Sequence, residues 1–339
     1  MADTSKIEWT DATWNVVTGC EKVSPGCDNC YAETFAERWR GTPGHHFETG
    51  FDLTLRPERM NLPLTWKKPR KVFVNSMSDL FHKDIPDEYI ARTFAVMALT
   101  PQHTYQVLTK RHGRMRSLLN DRCTCSNGHT PGVHLRSAMA WAVSKANPNR
   151  IPGAPDDAEQ QVWNAPWPLT NLWLGVSVEN QIWAERRIPA LLETPAAIRF
   201  LSCEPLLGPV NLTDINSVNV LRGDDTGYEN GLHWVDGPTI NWVIVGGESG
   251  PGARPMSPDW ARSLRDQCAA ADVPYLFKQW GEYAPTGYMA IGARQKGCLF
   301  VGDPIDDLGH RWEMRRVGKG NAGRELDGRT HDAFPAVIA

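Results

Sequence analysis

Residues 14–39 read WNVVTGCEKVSPGCDNCYAETFAERW, and the order of events in this stretch recurs along the chain. An apolar run at 14–17 leads into a turn-rich loop and then a helical pattern, with Tyr31, Phe35 and Trp39 at i, i+4 and i+8 on one face. Further apolar runs lie at 72–74, 105–108, 172–178, 198–201, 242–245 and 275–277, each followed by a polar or glycine-rich turn and a helical pattern. The runs are near-continuous rather than alternating, as expected of parallel strands covered on both faces.

The intervening helices are legible. One starts at Asp84-Ile85-Pro86, turns Ile90, Phe94 and Met97 inward, and should stop at Thr100, because Pro101 disfavours helical geometry at the residue before it. Ser257 followed by Pro258 reads as an N-cap with proline at the first helical position, ahead of an apolar stripe of Trp260, Leu264 and Cys268. Strand–helix alternation repeated six or seven times predicts an α/β fold with a parallel sheet and right-handed crossovers. A closed or partly open barrel is expected over an open sheet. Polar residues follow strand after strand: Asn75, Ser76, Ser78 and Asp79, then Lys110, Glu179 and Asn180, Glu204, Glu248, and Lys278 with Gln279. In a barrel these ends converge on one mouth, where chemistry is usually built.

Three segments break the rhythm. Residues 121–165 carry Cys, His and Pro without strand periodicity and read as an insertion, 213–238 as a long polar loop, and the pattern beyond about 285 as a Gly- and Arg-rich tail. The organisation expected is a barrel domain over 1–285 and a C-terminal extension over 286–339 packed on it.

The chain has 339 residues, 41% of them hydrophobic and 22% charged, with a net charge of −3. This composition supports a sizeable core and gives no uniformly basic surface, although a local basic groove stays compatible with it. The N-terminus lacks the plan of a signal peptide and no stretch is long enough to span a bilayer, so a cytoplasmic protein without membrane attachment is expected. In that reducing setting, eight cysteines point to metal binding rather than disulfides.

The cysteines that matter most are Cys20, Cys27 and Cys30, spaced C-x6-C-x2-C between the first strand and the first helix. Pro25-Gly26 folds the loop back so that three thiolates can face one centre. Soft thiolates select zinc, copper(I) or iron–sulfur clusters. Structural zinc wants four protein ligands, and this loop holds no fourth Cys or His. Three cysteines suit a cubane cluster with one open iron. Zinc completed by a distant ligand, and three unrelated buried thiols, are the alternatives.

The chain resembles the phage-associated three-cysteine family of uncharacterised proteins that are related to radical S-adenosylmethionine (SAM) enzymes. The stretches carrying the resemblance are TGC…PGCDNCYAE, NSMSDLFH (75–82), HTYQVLTKR (103–111), NLWLGVSVENQ (171–181), FLSCEPLLGP (200–209), NWVIVGGESG (241–250), FKQWG (277–281) and LDGR (326–329). The resemblance implies a partial (β/α)6-type, TIM-like barrel. It also implies a 4Fe–4S cluster on Cys20, Cys27 and Cys30 whose open iron takes S-adenosylmethionine, an electron donor, and release of a 5′-deoxyadenosyl radical. The usual spacing in such enzymes is C-x3-C-x2-C; here the first gap is six. By the same resemblance Asn75, Ser76, Ser78 and Asp79 would surround the SAM amino group. Glu179, Asn180 and Glu204 are candidates for ribose hydroxyls or substrate, with rim ion pairs as the bland alternative.

In the run 242–250, Gly246 and Gly247 before Glu248 let a ligand approach the backbone closely. The turn lacks the G-x-G-x-x-G fingerprint, which excludes a dinucleotide enzyme of that kind. Lys110, Arg111, Arg114 and Arg116 form one basic cluster, and Lys67, Lys68, Arg70 and Lys71 another. With Trp66, Trp280 and Trp312, and with Lys278, they are candidates for binding a single strand or a flipped base, against the commoner reading of a solvated charged face. Cys123, Cys125, His129 and His134 could form a small zinc knuckle of non-standard spacing. Cys268 reads as core, whereas Cys203, at a strand end, is a candidate to face the mouth.

The leading expectation is a radical SAM-like enzyme acting on nucleic acid or a nucleotide. Its rivals are a nucleic-acid-binding protein with a structural or redox-sensing cluster, and a zinc-stabilised protein without iron.

Overall fold

A computed structural model describes residues 5–121, 132–225, 237–289 and 297–336. Its centre is a seven-stranded parallel sheet of β1 (Ala12–Trp14), β2 (Lys71–Val74), β3 (Thr104–Thr109), β4 (Leu172–Ser177), β5 (Ile198–Cys203), β6 (Trp242–Gly246) and β7 (Tyr275–Gln279). Spatial order equals sequence order, and each pairing is parallel. Successive crossovers of one hand keep the helices on one face and curl the sheet. The result is a half-barrel. Among the described residues no pairing joins β1 to β7.

The pleat sorts side chains between two cores. Outward-facing Val72, Val74, Tyr105, Val107, Leu174, Val176, Leu201, Val243, Val245 and Phe277 join the helical layer. Inward-facing Phe73, Trp173, Ile198, Phe200, Trp242, Ile244 and Leu276 form a second cluster around Trp9, which enters the half-barrel from the segment before β1. Gly175 makes this inner layer possible, because a Cβ there would lie 2.5 Å from the Phe200 ring.

The outer layer contains α1 (Tyr31–Glu37), α2 (Asp87–Leu99), α3 (His112–Leu119), α4 (Val133–Val143), α5 (Ala158–Asn164), α6 (Gln181–Leu192) and α7 (Pro258–Ala270). As the sequence predicts, α2 ends before Thr100 with Ile90, Phe94 and Met97 buried, and α7 starts after Ser257 with Leu264 and Cys268 buried. The described part of the 121–165 segment contains α4 and α5, both packed on α2.

Beyond β7 the chain forms an antiparallel sheet of β8 (Tyr283–Met289), β9 (Cys298–Val301) and β10 (Arg311–Arg316), with β10 in the middle. The tail then returns to the edge of β7. Phe277 N donates to His331 O at 2.9 Å, Ala333 N donates to Tyr275 O at 3.3 Å, and Leu276 bridges Asp332. An edge strand that would otherwise offer open backbone groups is thereby covered.

Three expectations are corrected. The aromatic stripe read over 31–39 is not one buried helix face: α1 ends at Glu37, before Trp39, and Tyr31 is 60% and Phe35 45% exposed. The small residues Ala32 and Ala36 pack inward on Phe47 and Met77 instead. The apolar run 14–17 is not one strand. Asn75 Oδ1 accepts from Val16 N (3.0 Å) and Val17 N (3.3 Å), which diverts the chain, and Val17–Thr18 pairs antiparallel with Thr54–Leu55. Cys203 belongs to the outer core, because its neighbours Ser202 and Glu204 take the inward positions.

Candidate functional site

The loop after β1 begins at Gly19, whose φ of +85° and 2.2 Å approach of a would-be Cβ to Asp52 O leave room only for glycine. It runs through a short 3-10 turn, Pro25–Cys27, and ends where Cys30 caps α1. Cys20, Cys27 and Cys30 are free thiols of intermediate exposure, and all three line one cavity.

Four strand ends hold this loop from below. After β4, Glu179 Oε1 accepts from Ser24 Oγ at 2.6 Å. After β6, Glu248 accepts from Asn29 Nδ2 at 3.0 Å and pairs with Arg254, whose guanidinium also reaches Pro25 O at 2.7 Å and Asp28 at 3.0 Å. After β3, Arg111 donates to Cys20 Sγ at 3.3 Å and Glu21 O at 3.2 Å. After β2, Ser76 O accepts from Tyr31 Oη at 2.7 Å.

The cavity beneath the loop has a volume of about 580 Å³, within the range of small-molecule sites. Trp9, Phe73 and Leu108 form an apolar floor, and Lys110, Ser177, Ser202, Glu204 and Lys278 a polar wall. Lys278 pairs with Glu204 at 2.8 Å, and Ser202 Oγ donates to the other carboxylate oxygen at 3.1 Å. Burial works against the Lys278 ammonium, but the Glu204 carboxylate outweighs it and holds the Lys278 pKa above its ordinary value. Gly246 gives this pair its space, since a Cβ there would lie 2.9 Å from Glu204 Oε1.

The donor set fits a soft metal or an iron–sulfur cluster. Burial pushes the Cys20 thiol up to about 11, with Asp79 adding to the shift and Arg111 opposing it, and burial also raises Cys30. Neutral thiols are therefore favoured until a metal replaces their protons. Tetrahedral zinc would draw sulfurs to roughly 3.8 Å from one another, given Zn–S bonds of about 2.3 Å. Among the described residues the group of three possible ligand atoms within 4.8 Å of one another is Glu21, His82 and Asp84, and the three thiols are not so close. In the Glu21, His82 and Asp84 group, Asp84 N donates to His82 Nδ1 at 3.3 Å and Lys83 pairs with Glu21 at 3.0 Å.

A family model described as protein of unknown function (DUF5131) matches residues 4–335. The chain belongs to the DUF5131 family. No curated protein and no solved structure matches it.

In this DUF5131 chain, Asn75, Ser76, Ser78, Asp79, Glu204, Gly247, Glu248, Lys110, Arg111 and Lys278 all line the cavity with the three thiols. Several have internal duties. Ser78 Oγ donates to Val17 O at 2.9 Å, and Asp79 accepts from Thr109 Oγ1 at 2.7 Å and Lys110 N at 2.9 Å. Glu179, Asn180, Gly246 and Trp280 are not part of the lining. Glu179 lies behind it, fully buried against Arg187 at 2.7 Å and Lys110 at 3.3 Å. Asn180 caps α6 by accepting from Trp183 N at 3.3 Å.

Lys110, Arg111, Arg114 and Arg116 are paired with Glu179, Asp79, Asp87 and Glu193. Residues 67–71 lie at the start of β2, the end of the half-barrel opposite the thiols, where Arg70 stacks on Trp66 and Lys71 on Phe334. Trp66, Trp280 and Trp312 are 5–7% exposed, and Trp280 Nε1 donates to Glu325 O at 2.8 Å. Burial leaves these rings no open face for a base. Cys123, Cys125 and His129 lie outside the described residues, and His134 pairs with Asp121.

Sequence reasoning missed Ser24, Arg187, Arg254 and Trp9. Arg187 and Arg254 look like ordinary solvated arginines until the fold sets carboxylates beside them. The excess of tryptophan, 14 in all, was the one hint that a ring might plug the half-barrel.

Proposed function

We propose that this protein is an iron–sulfur enzyme of the radical SAM type, with Cys20, Cys27 and Cys30 as the ligands of a 4Fe–4S cluster. The observation that carries the reading is the convergence of three free thiols from one loop on the cavity that the strand ends also line. A reduced cluster with an open iron supplies the electron that cleaves the SAM sulfonium and yields a 5′-deoxyadenosyl radical. This chain's residues provide the rest. The clamped loop presents the thiols. Trp9, Phe73 and Leu108 offer a dry surface for a ring, and Glu204 and Lys278 offer an acceptor beside a donor. Enclosure of that kind protects a radical from solvent.

The substrate proposed is a nucleotide, or a base flipped out of a strand, because the cavity admits one ring system and not a duplex. A redox-sensing or structural cluster, and zinc alone, remain rivals that one experiment separates. Protein reconstituted anaerobically with iron and sulfide should bind about four iron per chain, and should release 5′-deoxyadenosine from SAM when reduced. A full complement of iron without SAM cleavage sinks the enzymatic reading; zinc in place of iron sinks the cluster.

A further inference from the structure

Glu179 is a carboxylate buried to 0% exposure directly under the thiol loop. Its charge is met by Arg187, also fully buried, at 2.7 Å and by Lys110 at 3.3 Å. For an ion pair that stabilises the barrel wall, those partners suffice. Yet Oε1 also accepts from Ser24 Oγ at 2.6 Å, across 155 positions of sequence. The loop is shaped around this oxygen. A Cβ on Gly26 would lie 2.5 Å from Oε1 and 2.6 Å from Cγ, so the backbone closes on the carboxylate only because residue 26 is glycine. Ser24 Oγ in turn lies 4.0 Å from Cys27 Sγ.

We infer that Glu179 is the positioning residue of the metal-binding loop, acting through Ser24 and across the space left by Gly26 to hold Cys27 where a metal centre requires it. This assignment rests on the reading of the three cysteines as ligands. Glu179 does not touch the metal; it fixes a ligand, as partners behind metal-binding side chains commonly do. Such a hydrogen bond lowers the cost of ordering the loop when metal binds, and its loss appears as weaker retention.

Ser24→Ala is the decisive variant, because it removes one hydroxyl and leaves Glu179 with both cations. Wild type, Ser24→Ala, Ser24→Thr and Gly26→Ala are reconstituted anaerobically with iron and sulfide and challenged with excess chelator, while thermal melting is followed separately. Ser24→Ala should lose iron about 10-fold faster than wild type, with a melting temperature within about 2 °C of it. Ser24→Thr, which keeps the hydroxyl, should restore retention, and Gly26→Ala, which pushes the loop off the carboxylate, should match Ser24→Ala or exceed it. If wild type takes up no iron, the ligand reading itself fails. If wild type retains iron and Ser24→Ala retains it equally well, only the positioning role is overturned. A loss of iron that tracks a loss of melting temperature and is not restored by threonine overturns it too.

Discussion

Replacing Gly175 by alanine tests the inner layer of the half-barrel, on which the shape of the cavity depends. The added methyl would lie 2.5, 2.5 and 2.6 Å from three atoms of the Phe200 ring, and that ring has nowhere to go. Phe200 is fully buried, with the Trp9 ring centroid at 6.4 Å and that of Trp242 at 5.8 Å. Relief of the overlap requires a ring or strand shift of roughly 1 Å, and overpacking of this kind costs about 1–3 kcal/mol. With a rigid aromatic cluster on the far side, the upper part of that range is expected. For a chain of this size the melting temperature should fall by about 3–4 °C. Phe200→Leu alone leaves a void and should cost about 1–2 kcal/mol. The double variant should recover much of the loss, because the smaller side chain makes room for the methyl, with a coupling of about 1 kcal/mol or more between the sites. Urea unfolding of the four proteins measures this cycle. Additive effects, or a Gly175→Ala protein as stable as wild type, would show that residues 175 and 200 do not share the inner face.

Cys27→Ala should abolish bound iron after anaerobic reconstitution while melting close to metal-free wild type, since this half-buried thiol belongs to no core cluster; metal analysis and a melt check both. Gly246→Ala should displace Glu204 from Lys278, because its Cβ would stand 2.9 Å from the carboxylate; product formation should fall while iron content stays at the wild-type level. Asp327 is held at about 2, below its ordinary 3.8, by hydrogen bonds from Arg262 and by Arg265, so its contribution is complete above about 3.8 and is lost as pH falls through about 2. Asp327→Asn should therefore destabilise the tail at pH 7, with the difference from wild type shrinking on acidification; a gap that is constant with pH would refute the ion-pair account.

Much of the architecture was legible because it is local. Continuous apolar runs marked the strands of a parallel sheet, Pro101 marked the end of α2 at Thr100, and Ser257-Pro258 marked the start of α7. The thiol loop could be placed between the first strand and helix from its position alone. The boundaries of β1 could not, because the side chain that turns the chain away after Trp14 belongs to Asn75. Nor could the outward face of α1, because a helix of seven residues is oriented by what lies under Ala32 and Ala36 and not by its largest side chains.

By itself the sequence determined that strands and helices alternate and that three cysteines follow the first strand, since both follow from residues adjacent in the chain. Tertiary structure alone decided which carboxylate meets which cation, that Ser24 rests on Glu179, that the tryptophans are buried and that the tail seals β7. Those pairings join residues far apart in sequence, and the distance between them is set by the curl and register of the sheet, which no local pattern of side chains encodes.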